Sequence, residues 1–402
     1  MPEKEQEKMD SSHYTFKDAV PLAPLKIIAM ENCYDFAAKV DRYIVEDRQQ
    51  ASKNLRDDLE VRQRHYNEDT FLIKAECPRF GSGEGKGMIR SSVRGDDVFI
   101  ITDVINHSLS YNMYGQTHYM SPDDHFQDLK RIVAAALPTA RRINVIMPFL
   151  YESRQHKRTD RESLDCAMAL EELAGMGVTN IITFDAHDPR VQNAIPLHDF
   201  DNYSPVLQFM ETIINNDKDF TIDKRSLMII SPDEGAMGRA VYLANNLGVD
   251  MGMFYKRRDY TKIVNGKNPI VAHEFLGSDV DGKTVIIIDD MIASGDSMLD
   301  TSRALKKRGA KKVIVCCTFG LFTSGFEAFD KSYANGDFDY IITTNLNYRD
   351  PEIYTKPWYY ETDMTSYVAA IVNTMNHDVS TANVLSPTER VQQLINRFKD
   401  DM

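Results

Sequence analysis

The chain lacks the features that mark exported, membrane-spanning and nucleic-acid-binding proteins. No apolar run approaches the length of a membrane span, and residues 1–10 are charged rather than hydrophobic. The 402 residues carry 47 basic and 60 acidic side chains, and the net charge of -13 opposes binding to a nucleic-acid backbone. The five cysteines have no metal-ligand spacing, which favours buried, reduced thiols. We therefore expect a cytoplasmic protein without nucleic-acid or membrane partners.

What remains is the composition of an ordinary folded protein, with 43% hydrophobic and 27% charged residues. A chain of this length has room for two domains, each with its own core. We expect a disordered extension at 1–20, domains at 21–204 and 205–376, and a helical tail at 377–402. The boundary between the domains is placed at the polar turn that ends in Pro205.

Short apolar runs alternate with helical patterns along most of the chain, which predicts an α/β fold with mainly parallel sheets flanked by helices. Ser121 and Pro122 supply an N-cap and a first-turn proline, and they predict the start of one of the helices. The predicted strands are Lys26–Met30, Val98–Thr102, Ile143–Met147, Asn180–Phe184, Ser226–Ser231, Thr284–Ile288 and Val313–Cys317.

One strand leads into the most informative motif of the chain, Val285–Met298, which reads VIIIDDMIASGDSM. Its β-branched residues predict a buried strand, so Asp289 and Asp290 are expected at the carboxyl end, where α/β sheets bind ligands. The small residues that follow form a loop before a helix, and such a loop can present backbone N–H groups to a phosphate. The alternative is that the two aspartates only cap a turn.

The motif resembles the phosphoribosyl-diphosphate signature of phosphoribosyltransferases and ribose-phosphate diphosphokinases. Ala293 to Ser297 stands where the usual form ends in Asp-Thr-Gly-Gly-Thr. The resemblance implies two phosphoribosyltransferase-like domains. It also implies that Asp289 and Asp290 orient the ribose of ribose 5-phosphate. The residues implied to bind the 5-phosphate are Ser294, Gly295, Asp296 and Ser297.

Further segments resemble the diphosphokinases alone, because only those enzymes must also bind ATP. Phe80 and Glu84 lie in a stretch similar to the nucleotide-contacting segment of that family, with serine at 82 in place of aspartate. Arg154 and Gln155 lie in a segment similar to another ATP-contacting element, with His156 replacing an acidic residue. The resemblance implies that these four residues, Phe80, Glu84, Arg154 and Gln155, contact ATP.

The remaining segments imply metal-binding and catalytic residues. By resemblance, Asp185 and His187 hold Mg²⁺ with ATP, and Asp233 takes a second cation or the ribose. Lys256 and Arg258 match the catalytic arm of the family. They lie two residues apart on an extended segment, so their side chains are expected to point the same way. Each segment alone is weak evidence, whereas all of them in the family's order are specific.

The implied reaction transfers the diphosphoryl group of ATP to the 1-hydroxyl of ribose 5-phosphate, giving phosphoribosyl diphosphate and AMP. The resemblance further implies a homo-oligomer, either a hexamer or another assembly built from dimers. A regulatory phosphate is implied at Ser92 and Arg94. Residues 106–122, which are rich in Tyr, Asn, His and Ser, form an insertion relative to the family.

The phosphate loop departs from the family pattern, and this leaves two other functions open. The interpretation we prefer is that Asp296 caps the following helix with its side chain turned away from the substrate. If the loop is altered instead, the chain is a non-catalytic partner that regulates a diphosphokinase. A phosphoribosyltransferase is the third possibility, but it leaves Phe80, Arg154 and Gln155 unexplained.

Overall fold

The computed structural model describes residues 19–53, 66–258 and 270–382, with only the backbone for residues 53, 256–258 and 270–273. Most of the extension expected at 1–20, and the tail beyond residue 382, therefore lie outside the described residues. The chain forms two compact units. Of the described residues, the first unit contains 19–53, 66–204, 346–348 and 364–382, and the second contains 205–258, 270–345 and 349–363.

The first unit is built on a six-stranded sheet in which all neighbouring strands are parallel, in the order β10-β9-β8-β5-β1-β2. Its strands are β1 (Leu25–Ala29), β2 (Leu72–Ile73), β5 (Asp97–Ile101), β8 (Arg142–Ile146), β9 (Asn180–Phe184) and β10 (Asp199–Tyr203). Its helices are α1 (Tyr34–Lys53), α2 (Pro122–Ala136), α3 (Asp165–Met176) and α8 (Thr365–Asn376). Two small antiparallel pairs join β3 (Ala75–Glu76) to β4 (Met88–Ile89) and β6 (Ser110–Met113) to β7 (Gln116–Tyr119).

The second unit contains a seven-stranded sheet in the order β13-β12-β11-β14-β15-β16-β17, parallel except for the pair β12–β13. Its strands are β11 (Leu227–Ser231), β12 (Asp250–Arg258), β13 (Ile270–Leu276), β14 (Thr284–Ile292), β15 (Lys312–Gly320), β16 (Tyr340–Thr344) and β17 (Tyr359–Thr362). Its helices are α4 (Val206–Asn216), α5 (Met237–Leu247), α6 (Asp296–Lys307) and α7 (Glu327–Ala334). The predicted α/β class with parallel sheets is confirmed in both units.

The packing of strand β14 explains why its sequence is continuously apolar and does not alternate between apolar and polar residues. Val285 and Ile287 belong to one buried hydrophobic cluster, whereas Ile286 and Ile288 belong to a second cluster. Successive side chains of a strand point to opposite faces, so both faces of this sheet are covered. A strand buried on both faces needs an apolar residue at every position, which is the pattern that the sequence carries.

Helix α2 begins as the sequence predicts. The Ser121 side chain accepts a hydrogen bond from the backbone N–H of Asp124, and the Asp124 carboxylate accepts one from the backbone N–H of Ser121. This reciprocal capping, with Pro122 in the first turn, satisfies N–H groups that the helix itself leaves without acceptors. No helix in the described ranges is long and apolar enough to cross a membrane.

Helix α8 packs in the first unit, although the sequence placed residues 205–376 in the second domain. The fully buried Arg48 of α1 donates through Nε to Asn373 Oδ1 at 2.9 Å and through a terminal nitrogen to Asn376 Oδ1 at 2.7 Å. The Arg48 guanidinium also lies 4.8 Å from the ring centroid of Phe71. A buried guanidinium must have acceptors, and α8 supplies two amide oxygens for it.

The predicted insertion at 106–122 forms the hairpin of β6 and β7. Met113 pairs with Gln116, so the connection is the two-residue turn Tyr114–Gly115. Both turn residues have positive φ, 49° for Tyr114 and 76° for Gly115. These values are those of a type I′ turn, whose twist matches that of the flanking strands.

Candidate active site

The carboxyl end of β14 places two aspartates beyond the end of a neighbouring strand. The pairing of β14 with β11 ends at Ile287, whereas its pairing with β15 continues to Ile292. Asp289 and Asp290 therefore lie inside the strand along β15 but past the end of β11. The sequence ended this strand at Ile288, and the structure extends it by the residues that carry the carboxylates.

The two aspartates occupy a strongly acidic environment. Asp290 is 3% exposed, and its Oδ2 lies 3.8 Å from a terminal nitrogen of Arg239. Burial raises the pKa of Asp289 well above its usual range, and the neighbouring Asp290 and Asp233 carboxylates raise it further. Arg239 acts in the opposite direction. A cation or a hydroxyl donor that binds here would stabilise the ionised form of the Asp289 carboxyl.

Arg239 is a residue of this site that the sequence reasoning missed. It lies on α5, in the segment SPDEGAMGRA that also contains Asp233. The signal that could have found it is a cation in the first turn of the helix that follows an acidic loop. Its guanidinium partly neutralises the carboxylates of β14, so the site is not purely anionic.

Asp233 has a structural role in the loop between β11 and α5. Its Oδ1 accepts hydrogen bonds from the backbone N–H groups of Gly235 at 2.9 Å and Ala236 at 3.3 Å, and its carbonyl oxygen accepts one from Ser231 Oγ at 2.6 Å. These bonds orient the Asp233 carboxylate beside Asp289, whose pKa it raises. Binding of a cation or a sugar by Asp233 stays a prediction.

The loop after β14 depends on a glycine. Gly295 has φ of 90°, a backbone conformation that L residues rarely adopt, and a Cβ at this position would collide with the ring of Phe329. Gly295 is the N-cap of α6, which begins at Asp296. The chain therefore turns sharply between β14 and α6 and enters the N-terminus of a helix, an arrangement suited to an anion. Ser294 is half-buried and Ser297 is exposed.

The predicted capping of α6 by Asp296 is wrong. Gly295 occupies the N-cap position, and Asp296 is the first helical residue without a side-chain capping bond. Instead, Asp296 Oδ2 accepts a hydrogen bond from Ser294 Oγ at 3.0 Å. A negative charge therefore lies in the loop that was expected to bind phosphate.

Lys256 and Arg258 lie on β12, so the expected extended segment is confirmed for the backbone. Lys256 pairs with His273 of β13, and the register shifts between Arg257 and Arg258. The side chains of Lys256 and Arg258 lie outside the described residues, and their common direction stays a prediction.

In the first unit, Phe80 and Glu84 close a tight turn between β3 and β4. The backbone N–H of Phe80 donates to the carbonyl oxygen of Glu84 at 2.8 Å, and that of Gly83 donates to the carbonyl oxygen of Phe80 at 2.9 Å. Ser82 Oγ donates to Glu84 Oε2 at 2.7 Å. The ring of Phe80 is 59% exposed. The turn therefore presents an aromatic face and an oriented carboxylate, and the structure brings these two predicted residues together.

Asp185 follows the carboxyl end of β9 in a strained conformation. Its φ is 44°, which is uncommon for a residue other than glycine. The conformation is held by hydrogen bonds from the backbone N–H of Asp185 to the carbonyl oxygen of Tyr203 at 2.8 Å and from that of Ala186 to Asn202 Oδ1 at 2.9 Å. Strained residues of this kind cluster at functional sites, where the surrounding structure over-determines them.

Close to Asp185, the structure brings together two histidines and an aspartate. The rings of His156 and His187 have centroids 5.2 Å apart, and His156 Nε2 lies 3.6 Å from Asp188 Oδ2. Hydrogen bonds from Arg190 lower the pKa of Asp188 to about 2. The contact between His156 and Asp188 was missed, because the sequence treated His156 only as a departure from the family pattern.

The other predicted contacts are exposed or already engaged. The Arg154 side chain is exposed, whereas Gln155 Nε2 donates to the carbonyl oxygen of Ser163 at 2.8 Å and so fastens the following loop. Ser92 and Arg94 are both exposed, and the backbone N–H of Arg94 donates to Ser92 Oγ at 3.3 Å. Binding of ATP by Arg154 and Gln155, and of phosphate by Ser92 and Arg94, stays a prediction.

The predicted metal ligands do not form a closed protein cage. Asp185 and His187 belong to the first unit and Asp233 to the second, and the described residues contain no group of three or more His, Cys, Asp or Glu able to hold a metal ion. Mg²⁺, however, is usually bound by one or two carboxylates together with substrate phosphates and water. Asp185 after β9 and Asp233 after β11 each offer a carboxylate that fits that mode of binding.

A cavity of about 360 Å³ lies in the first unit, beside the hairpin of β6 and β7. It contains none of the predicted site residues. Residues that line it include Arg79, Tyr111, Asn112, His125 and Asp128.

The fold and the two strand ends define a class of α/β protein that binds phosphorylated ligands at the carboxyl edge of parallel sheets. Residues 25–177 match the family model for the N-terminal domain of ribose phosphate pyrophosphokinase, and residues 206–335 match that of the phosphoribosyl transferase domain. The chain is 30% identical over 273 residues to a ribose-phosphate pyrophosphokinase of Parasynechococcus marenigrum, covering 67% of this chain and 73% of that protein. The chain belongs to the ribose-phosphate pyrophosphokinase family.

Two further comparisons agree. A ribose-phosphate pyrophosphokinase of Ralstonia nicotianae is 29% identical over 278 residues, covering 68% of this chain and 78% of that protein. The crystal structure of phosphoribosylpyrophosphate synthetase from Mycobacterium smegmatis superimposes with a TM-score of 0.67 at 20% identity, covering 88% of this chain and 99% of that one. This last likeness shows the fold.

Proposed function

We propose that the chain is an active ribose-phosphate pyrophosphokinase, which transfers the β,γ-diphosphoryl group of ATP to the 1-hydroxyl of ribose 5-phosphate. The observation that carries the proposal is the end of β14, where Asp289 and Asp290 lead directly into the Gly295 turn and the N-terminus of α6. Carboxylates can accept hydrogen bonds from sugar hydroxyls, and a helix N-terminus favours a phosphate. Sugar and phosphate recognition are thus combined within one strand, loop and helix.

The roles of the residues follow from their chemistry. Asp289 and Asp290 accept hydrogen bonds from the ribose hydroxyls, and Ser294 and Ser297 donate to the 5-phosphate. The 1-hydroxyl oxygen then bonds to the β-phosphorus and loses its proton to water, the bond from that phosphorus to the oxygen shared with the α-phosphate breaks, and AMP leaves. Because a polyanion is attacked by an oxygen, neutralisation of charge dominates the barrier. Lys256 supplies that positive charge together with Arg258.

The first unit is proposed to bind ATP. Phe80 offers its exposed ring to the base, Glu84 accepts a hydrogen bond from it, and Arg154 and Gln155 contact the remainder of the nucleotide. Mg²⁺ bound with ATP would supply positive charge at the diphosphoryl group, and Asp185 and His187 are the residues that would hold it. Asp233 would hold a second cation or the ribose. The strained backbone of Asp185 supports this assignment because it fixes the carboxylate at the end of β9.

Asp296 is the feature that favours a second function. Its carboxylate accepts a hydrogen bond from Ser294, one of the residues proposed to bind the phosphate. For the enzyme to work, Ser294 must exchange this partner for the phosphate, against the repulsion between the phosphate and Asp296. A chain that cannot make the exchange would be a non-catalytic regulatory homologue.

The test mixes the purified protein with ATP, ribose 5-phosphate and Mg²⁺ and measures AMP by chromatography. An active enzyme forms AMP and phosphoribosyl diphosphate in equal amounts. The variant Asp290→Asn should lower kcat/KM for ribose 5-phosphate roughly tenfold to a hundredfold, because it removes a charged acceptor from the sugar. Asp300→Asn is the matched control, since Asp300 is exposed on α6 and pairs only locally with Arg303.

Two other outcomes would give different answers. If no AMP forms, but phosphoribosyl diphosphate is consumed with a nucleobase, the chain is a phosphoribosyltransferase. If neither reaction occurs, the regulatory homologue remains. The same preparation also tests the expected homo-oligomer by light scattering. If phosphate activates the enzyme through Ser92 and Arg94, the increase in AMP formation on adding phosphate should disappear in Arg94→Ala. The cytoplasmic location of the protein stays a prediction.

A further inference from the structure

The tip of the hairpin of β6 and β7 carries an unusual residue for its turn. In a type I′ turn both central residues have positive φ, so Asn, Asp and Gly are favoured at the first position. Here that position is Tyr114, with φ of 49°. Tyr114 is 81% exposed, so packing against the protein does not offset the conformational cost. A bulky aromatic residue that is strained and uncovered indicates a role outside the packing of the hairpin.

The tip contacts the turn that is proposed to bind the base of ATP. The backbone N–H of Tyr114 donates to the carbonyl oxygen of Gly81 at 2.9 Å. A Cβ on Gly83 would collide with the sulfur of Met113, so the hairpin lies directly against this turn. Gly81 is the neighbour of Phe80, whose ring is also exposed. The backbone hydrogen bond therefore joins the exposed Tyr114 to the residue next to the exposed Phe80.

The hairpin and the turn both contact helix α2, partly through Arg79. Arg79, next to Phe80, donates two hydrogen bonds to the Asp128 carboxylate of α2, at 2.5 and 2.8 Å. The same guanidinium lies over the ring of Tyr111 in β6, 5.0 Å from its centroid. The Tyr111 hydroxyl donates to Asp124 Oδ1 of α2 at 3.3 Å. Because Arg79 contacts both the hairpin and α2, the tip is held at a fixed place relative to Phe80.

We propose that Tyr114 is a nucleobase-binding residue, whose ring together with that of Phe80 forms an aromatic surface for the purine of the diphosphoryl donor. This inference rests on the proposed function of the Phe80 turn. Aromatic side chains bind bases by stacking, which tolerates different bases because each presents a flat π face. The contact between the ligand and the ring also offsets the conformational cost at Tyr114. The insertion thus extends the nucleotide site beyond the residues that resemble those of the family.

The test uses the full-length protein and isothermal titration calorimetry with ATP. Tyr114→Asn removes the ring and suits the turn, so it should leave the fold intact while weakening ATP binding roughly fivefold or more. Tyr114→Phe keeps the ring and should bind ATP as the unchanged protein does. Tyr119→Thr is the matched control, because Tyr119 is 72% exposed in the same hairpin but pairs with Ser110 at the end away from the tip. It should not change ATP affinity.

A probe without a base makes the result specific. Inorganic tripolyphosphate should bind Tyr114→Asn and the unchanged protein equally, because only the base contacts the ring. Equal loss of ATP and tripolyphosphate affinity would overturn the proposal, and so would unchanged ATP affinity in Tyr114→Asn. Unchanged ATP affinity with a smaller mass in light scattering would assign Tyr114 to contact with a second copy of the chain, which also overturns it. These titrations need no turnover, so they remain decisive even if the protein forms no AMP.

Discussion

Substitution of Gly295 by alanine should both destabilise the second unit and distort the loop that is proposed to bind the 5-phosphate. Two separate costs arise from the structure. The φ of 90° is unfavourable for any residue with a Cβ, and the added methyl group would collide with Phe329, which is completely buried. The conformational cost is about 1 kcal/mol and the overpacking about 1–3 kcal/mol, so the free energy of unfolding should fall by about 2–4 kcal/mol.

The single tryptophan of the chain provides the assay. Trp358 is buried in the second unit, and its ring centroid lies 5.7 Å from that of Phe329. Its fluorescence during urea unfolding therefore reports on the stability of this unit. Gly336→Ala is the matched control, because Gly336 has φ of 76° but no atom near the position of an added Cβ. It should lose only the conformational cost of about 1 kcal/mol.

The reasoning would be refuted if Gly295→Ala and Gly336→Ala lost the same stability, since the collision with Phe329 would then contribute nothing. Phe329→Leu offers an independent check. In its presence the additional loss caused by Gly295→Ala should shrink, because a smaller side chain leaves room for the methyl group. Weaker binding of ribose 5-phosphate by Gly295→Ala, measured by calorimetry, would show that the loop is displaced as well.

Three further predictions concern catalysis and stability. Lys256→Ala should lower kcat by roughly a hundredfold or more with a smaller change in KM for ribose 5-phosphate, because its charge acts mainly in the transition state; steady-state kinetics that show loss through KM alone would contradict this. Arg48→Met should cost about 2–4 kcal/mol by leaving buried amide oxygens without donors, seen as faster hydrogen exchange in α8. Burial, with a smaller effect of Asp199, raises the pKa of Asp201 to about 6. The folded protein therefore holds the Asp201 proton more tightly than the unfolded chain does, and the free energy of unfolding falls as the pH rises from about 4 to 6. Asp201→Asn should raise the free energy of unfolding by about 1–2 kcal/mol at pH 8 but by little near pH 4, as measured by thermal unfolding.

Much of the fold could be predicted because it depends on local patterns. The strand predicted at Asn180–Phe184 is found with the same bounds, and the helix start at Ser121 and Pro122 is confirmed. A strand buried on both faces must be continuously apolar, and a helix start must supply acceptors for its first N–H groups. These requirements are met by residues adjacent in the chain, so they are visible without a structure.

The assignment of α8 to the first unit could not be predicted in this way. Its position is held in part by Arg48, which bonds to Asn373 and Asn376 across more than three hundred residues of sequence. Nothing in the local pattern of either segment specifies the other. The pairing emerges only when the buried guanidinium must find acceptors in the folded chain.

The candidate site, too, could be predicted only in part from the sequence. The order of its motifs by itself determined which residues are predicted to carry the chemistry, from Phe80 to the aspartates of β14, because the chemical types and spacing of side chains are properties of the sequence. The tertiary structure decided the contacts among them: Arg239 beside Asp290, Asp296 bonded to Ser294 instead of capping α6, and Tyr114 against the Phe80 turn. Those contacts depend on distances between separate elements and on which polar groups burial leaves without water, and both are settled only when the sheets and helices pack.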